Sequence, residues 1–289
     1  MDWQNIFPQN NIYFKNNNGI LYNGNVLELI KQFPDESVDC VISSPPYWLM
    51  RDNHTEGQIG LENDFNRYLE KIWQVFNEIY RVLKPRGTCW VNIGDTYFSK
   101  IKGTGGNRSK IQRNNKGSKF TPVRVKQKYL SKSLCLIPER FAIGMVDRGW
   151  LLRNTIIWNK TNPVPQSAKD RFTNNIEYIY FFTKNKRYYF KQQLELAKTD
   201  GYKYKNKRSV WTLPIGIFKG HHYSTFPIEI PKICIEAGCP DNGIVLDPFI
   251  GSGTTAVAAE KLNHKWVGIE INPDYCKIAK ERIPNELER

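Results

Sequence analysis

The sequence predicts an α/β fold: one domain over residues 1–289, built on a mainly parallel sheet with helices on both sides. Three observations predict it. Apolar runs of strand length recur along the chain. Between them lie longer stretches with apolar residues at three- and four-residue spacing, the period of a helix with one buried face. Toward the C-terminus the two kinds alternate as strand, helix, strand, helix, which is the signature of βαβ units. No internal repeat and no clean domain boundary interrupts the chain.

Each element follows from its local pattern. Residues 38–43 (VDCVIS) are too short for a helix and read as a buried strand that stops at Pro45-Pro46. Asn63-Asp64 caps a helix whose apolar face is Phe65, Leu69, Ile72, Phe76, Ile79 and Leu83, and Lys84-Pro85-Arg86-Gly87 ends it. Residues 88–93 form a second buried strand. A helix over 138–148 begins on a proline. Strands at 151–158 and 176–183 (IEYIYFFT), joined by a polar link, predict an antiparallel pair at the sheet edge. Then come a helix over 227–237, a strand over 244–247, a helix over 253–262 and a strand over 266–270. Asn272-Pro273 opens the last helix.

Composition narrows the function. With 289 residues, 40% of them hydrophobic, the chain can bury a sizeable core. It contains no run near the roughly 20 apolar residues of a membrane helix. Met1-Asp2-Trp3-Gln4 lacks the basic start and apolar run of a secretory signal, so a cytoplasmic location is expected. The six cysteines form no C-x-x-C pair and share no zinc spacing with the four histidines; reduced thiols and no structural metal are expected. The net charge is +14 and unevenly spread. Between Thr96 and Pro138 stand eleven Lys or Arg and no Asp or Glu: Lys100, Lys102, Arg108, Lys110, Arg113, Lys116, Lys119, Arg124, Lys126, Lys128 and Lys132. A polyanion partner is the natural reading, against the plainer one of a solvated basic loop. The segment 96–133 reads as a long loop, mobile without its partner. In 184–220 basic and aromatic residues interleave, among them Tyr188, Tyr189, Phe190, Tyr204, Lys205, Arg208 and Trp211.

Three motifs carry chemistry. In Asp247-Pro248-Phe249-Ile250-Gly251-Ser252-Gly253-Thr254-Thr255 a buried strand enters a glycine turn and then a helix. The glycines permit close approach to a ligand, and the helix N-terminus offers N–H groups to an anion. Without the Gly-Lys-Ser/Thr ending of a phosphate loop, the carboxylate of an amino-acid-like cofactor fits better than a nucleotide phosphate. Glu270 ends the next strand, where an acid can accept hydrogen bonds from a ribose diol; a lone acid at a strand end is otherwise simply solvated. Ser44-Pro45-Pro46-Tyr47 combines rigid carbonyl acceptors, a hydroxyl and a flat ring. That set can hold an amino group and stack its ring, although alone it also reads as a proline turn ending a strand.

Together these motifs resemble those of the DNA amino-methyltransferases, whose hallmarks are D-P-F-x-G-S-G-T-T and [S/D/N]-P-P-Y/F. The catalytic motif precedes the cofactor motif, as in the permuted group often called beta. The resemblance covers 20–95, 134–185 and 222–284. It implies a Rossmann-like, mainly parallel seven-stranded sheet and S-adenosyl-L-methionine as cofactor. By the same resemblance Asn25, where the family commonly has Asp, contacts the adenine. Thr225 and Phe226 close over the methionine end, and Asp247, Phe249, Gly251, Gly253, Thr254 and Glu270 complete the cofactor site. Ser44, Pro45, Pro46 and Tyr47 become the catalytic loop for a base flipped out of duplex DNA. Lys100, Lys102, Arg108, Lys110, Arg113, Lys116, Lys119 and Arg124 are expected to contact DNA, and 184–220 is where relatives place target recognition. Serine before Pro-Pro goes with N4-cytosine relatives, Asp or Asn more with adenine N6; both remain open, as does methylation of RNA or protein on the same fold. A catalytically silent nucleic-acid-binding protein is the reading from another class, against which the intact motifs stand. A partner restriction endonuclease is compatible with the family, and monomer and homodimer are equally so.

Overall fold

The computed structural model describes residues 2–50, 52, 55–98, 101–102, 123–124, 131–197, 203–216 and 226–287. Strands β1 (Ile12–Lys15) and β2 (Gly19–Asn23) lead into helix α1 (Val26–Leu29), then β3 (Val38–Ser43), α2 (Phe65–Val82) and β4 (Leu83–Ile93). Two short strands, β5 (Ile101–Lys102) and β6 (Val123–Arg124), precede α3 (Ile137–Asp147), β7 (Leu151–Lys160) and β8 (Ile176–Thr183). A hairpin of β9 (Leu194–Leu196) and β10 (Tyr204–Asn206) is followed by β11 (Val210–Leu213), α4 (Glu229–Gly238), β12 (Ile244–Asp247), α5 (Thr254–Lys261), β13 (Lys265–Glu270) and α6 (Pro273–Leu287).

The main sheet has nine strands, not seven, in the order β1-β2-β13-β12-β3-β4-β8-β7-β11. The parallel pairings of β2, β13, β12, β3 and β4, and of β7 with β11, make seven strands share one direction; β1 and β8 run against them. The expected edge pair at 151–183 is antiparallel but internal. β8 pairs with β4 over Tyr178–Thr183, and β11 covers the outer side of β7. The double pairing explains why 176–183 reads as a continuous apolar run and not as an alternating edge strand. β4 also begins earlier than 88. The chain leaves α2 at Val82 and stays extended, because Pro85 disfavours helix at the residue before it.

Two apolar cores lie on the two faces of the sheet. One is made with α1, α2 and α3 (Leu29, Tyr68, Ile72, Phe76, Phe141), the other with α4, α5 and α6 (Ile235, Val257, Ala259, Cys276, Ile283). The side-chain alternation of strands assigns faces: Ile42, Trp90, Trp158 and Ile179 join the second core. All six cysteines are free and buried. No helix among the described residues is long and apolar enough to cross a membrane.

Because seven strands agree in direction, the loops after β2, β3, β4, β7, β11, β12 and β13 emerge on one edge, where open α/β sheets bind ligands. The basic segment follows β4 and therefore starts and returns on that edge. Its root is described: Phe98 N–H donates to the Ser133 carbonyl (2.8 Å) and Cys135 N–H to that of Thr96 (2.8 Å). β5 and β6 pair antiparallel further out.

Candidate functional site

β3 and β12 are neighbours, with Val245 beside Cys40 and Leu246 beside Val41. Continuing that register brings the Ser44 loop and the Asp247 turn off the sheet side by side. β13 runs along the other flank of β12 and places Glu270 next to Asn23.

The glycine turn is built around a buried carboxylate. Asp247, 2% exposed, accepts the Phe249 N–H (3.0 Å) at one oxygen and the Thr255 hydroxyl (2.5 Å) at the other. Burial pushes its carboxyl up to about 7, against the opposing pull of those bonds. Gly251 (φ 53°) and Gly253 (φ 85°) are both left-handed, which glycine adopts without strain. They differ in surroundings. A Cβ on Gly253 would meet the Ala279 Cβ at 3.2 Å, whereas one on Gly251 would find only the Phe249 carbonyl, at 4.0 Å. Gly253 thus seats α5 on α6, and Gly251 turns an open face outward. The Thr254 hydroxyl points the other way and accepts from Arg282 (2.8 Å).

Glu270 closes the rim. Its carboxylate, 8% exposed, accepts the Gly251 N–H (3.0 Å) and the Asn272 N–H (2.8 Å), and burial raises it to about 7. The Asn25 side-chain Oδ1 caps α1 by accepting the Leu27 N–H (2.9 Å), a short-range bond that the expected adenine contact would have to share. A Cβ on Gly57 would lie 3.0 Å from the Asn25 amide nitrogen, so the loop after β3 folds over this corner. Phe226 precedes α4 and packs on the second core.

The proline loop is held from below. Trp48, 1% exposed, anchors it in the first core and donates to the Glu62 carbonyl (2.7 Å). The Pro46 carbonyl accepts the buried Tyr68 hydroxyl (2.8 Å). No such bond forms on the Pro45 carbonyl among the described residues. Tyr47 lies against Gly94 at the end of β4, where any Cβ would come within 2.7 Å of its ring. Its hydroxyl reaches Glu177 Oε2 (2.6 Å) and lies 3.1 Å from Asn92 Oδ1. Burial and the Glu177 charge hold the Tyr47 hydroxyl well above its ordinary pKa. Glu177 also pairs with Lys160.

The fold thus brings together Ser44, Pro45, Pro46, Tyr47, Asn25, Asp247, Phe249, Gly251, Gly253, Thr254 and Glu270 on one edge. Thr225, Lys100, Arg108, Lys110, Arg113, Lys116 and Lys119 lie outside the described residues, and so does most of the segment expected to be mobile. Lys102 and Arg124 stand on β5 and β6. Of 184–220, residues 184–193 run along the opposite edge, where Tyr189 N–H donates to the Arg86 carbonyl (2.9 Å). β11 then carries the chain back to the edge of the Ser44 loop. No local sequence pattern points to Glu177, Lys160, Asn92 or Gly94. A Gly94→Ala change is expected to displace the Tyr47 ring and slow turnover about tenfold or more with cofactor affinity unchanged, as checked by steady-state kinetics and calorimetry.

Comparison with known proteins finds similarity along most of the chain. The family description for DNA methylases (N6 and N4 methyltransferases) matches residues 38–281. The type II methyltransferase M.Cfr9I of Citrobacter freundii is 38% identical over 270 residues, covering 93% of this chain and 89% of that protein. Among solved structures, the PvuII DNA methyltransferase (cytosine-N4-specific) superposes with a TM-score of 0.66 at 20% identity, covering 94% of this chain and 92% of the other. M1.HpyAVI in complex with S-adenosylmethionine superposes with a TM-score of 0.54 at 21% identity, covering 91% and 98%.

Proposed function

This chain belongs to the DNA methylase family of N4 and N6 amino-methyltransferases, and on that premise we propose that it methylates the N4 amino group of cytosine at a specific site in duplex DNA, within a restriction-modification system. One observation carries the reading: Ser44-Pro45-Pro46-Tyr47 leaves β3 beside the open face of the Asp247–Thr255 turn, on the edge where the basic segment is rooted.

The residues fit S-adenosylmethionine. The outward face of Gly251 admits a ligand against backbone, and the buried Glu270 carboxylate at the rim suits a ribose diol. The cofactor, when bound there, supplies an electrophilic methyl group. The chain supplies the rest. Tyr47, fixed on Gly94, offers a ring for a flipped base to stack on. The Ser44 hydroxyl oxygen and the Pro45 carbonyl accept the two amino hydrogens. An exocyclic amine is a weak nucleophile because its lone pair is delocalised into the ring. Fixed acceptors pull it toward tetrahedral geometry and stabilise the positive charge that grows on nitrogen. The proton leaves after transfer, when the nitrogen has become acidic. Serine before Pro-Pro supports cytosine over adenine by family correlation.

The test is incubation of DNA with labelled cofactor, followed by nucleoside analysis and mapping of the modified sites. N4-methylcytosine supports the reading; N6-methyladenine would move the assignment to the other amine, and an unlabelled nucleic acid would remove it. We further expect each Lys or Arg to Ala change within 100–132 that removes a phosphate contact to lower the slope of log affinity against log salt by about 0.9. An unchanged slope in filter-binding titrations places that residue off the DNA.

A further inference from the structure

Around Tyr47 the hydrogen bonds run in one direction. Glu177, near the start of β8, accepts the Tyr47 hydroxyl (2.6 Å) and the Asn92 amide (3.1 Å) at the same oxygen. Its other oxygen takes the Lys160 ammonium from β7, in an ion pair whose side chains are only 16% and 14% exposed. Asn92, Lys160 and Glu177 meet because strand alternation puts them on the face of Trp90, Trp158 and Ile179. An ionised carboxylate has no proton to give, so the Tyr47 hydroxyl must be the donor.

We infer that Glu177, clamped by Lys160, is a positioning residue for methyl transfer: it holds the Tyr47 hydroxyl and so fixes the orientation of the ring on which the target base stacks. The ring is held from two sides. Gly94 leaves it room at the end of β4, and its hydroxyl is tied to the sheet through Glu177 and Asn92. Lys160 completes the device by holding the other oxygen of the same carboxylate.

This inference rests on the amine-binding reading of the Ser44 loop, and a double-mutant cycle on the full chain separates the two. Glu177→Gln keeps the shape but lets an NH₂ face Tyr47. Tyr47→Phe keeps the ring and deletes the link. On a duplex carrying the mapped site, each is expected to lower kcat about 10- to 100-fold, with KM for DNA and cofactor affinity within about twofold. In the Tyr47→Phe background, Glu177→Gln should then cost less than about twofold. Because Glu177→Gln leaves a half-buried Lys160 charge unpaired, Lys160→Met combined with Glu177→Gln serves as a second variant without that charge, and the same loss of kcat is expected. Wild-type kcat in Glu177→Gln overturns the inference, and so does an equal cost in both backgrounds, which is what a purely structural residue gives. If the unmodified chain methylates no DNA, the amine-binding reading itself fails; if it methylates DNA and the two effects simply add, only the role of Glu177 does.

Discussion

Replacing Ser44 with alanine is expected to lower methyl transfer by about two to three orders of magnitude while affinity for S-adenosylmethionine stays within about twofold. The size follows from removing one fixed polar partner of a charge that develops only in the transition state. The separation of rate from binding follows from the fold. Ser44 belongs to the loop after β3, whereas the proposed cofactor side of the cleft is built by the turn after β12 and by Glu270 on β13. Ser44 caps no helix and pairs in no strand, so its loss is not expected to unfold the loop, which Trp48 and Tyr68 hold from below. Tyr47→Ala should be at least as severe, because it removes the stacking ring and the hydroxyl that Glu177 holds. Single-turnover kinetics with labelled cofactor and calorimetry check both variants. Wild-type turnover in either would sink the catalytic assignment of the loop.

The second large effect is expected at Glu270. Both of its carboxylate oxygens accept backbone N–H groups, from Gly251 and Asn272. A glutamine there must turn its NH₂ toward one of those donors, so the turn is disturbed as well as the charge lost. Hydrogen bonds to a charged acceptor are worth about 1.5–3 kcal/mol, which predicts a loss of cofactor affinity of about 10- to 100-fold. Burial holds Glu270 at about 7 from its ordinary 4.5, and Asp247 is raised to the same region. The direction of the pH dependence follows. A ribose diol donates to the ionised carboxylate, so cofactor affinity should rise as pH increases through about 7 and level off above 8. For the unliganded chain the sign is opposite. A carboxyl with a raised folded-state pKa contributes stability that is full below about 4.5 and is lost as pH rises through about 7. Calorimetric titrations between pH 6 and 8 should show a smaller rise in Glu270→Gln than in the unmodified chain. Equal pH profiles would mean that Glu270 does not titrate at the cofactor.

Both effects turn on residues that are legible in the sequence, and the reason is that their patterns are local. The strand at 38–43 and its proline stop lie within ten consecutive residues, and so do the strand at 244–247 and its glycine turn. Helix α2 was equally visible, since Asp64 caps it through the Asn66 N–H (2.8 Å) and its periodic residues are all buried. Parallel neighbours of this kind also fix the shared edge, because βαβ crossovers have one hand. Less was legible where a residue's partner is distant. Asp247 and Thr254 belong to the cofactor motif, yet their polar groups turn inward, to Thr255 and to Arg282 on α6. Composition marks residues 184–220 as a unit, but the strand direction of β8 sends their first part to the far edge.

The sequence by itself determined the family, the cofactor and the strand-end position of the Ser44–Tyr47 loop, because each is written in short motifs whose backbone geometry is set by proline, glycine and apolar runs. Only the tertiary structure decided what stands behind Tyr47. Glu177 is 130 residues away in sequence and reaches the tyrosine hydroxyl only because antiparallel β8 is inserted between β4 and β7. In the run IEYIYFFT nothing marks the single acid as part of a site. Register and strand order, which depend on long-range pairing, turn it into a half-buried ion pair beside the Tyr47 ring.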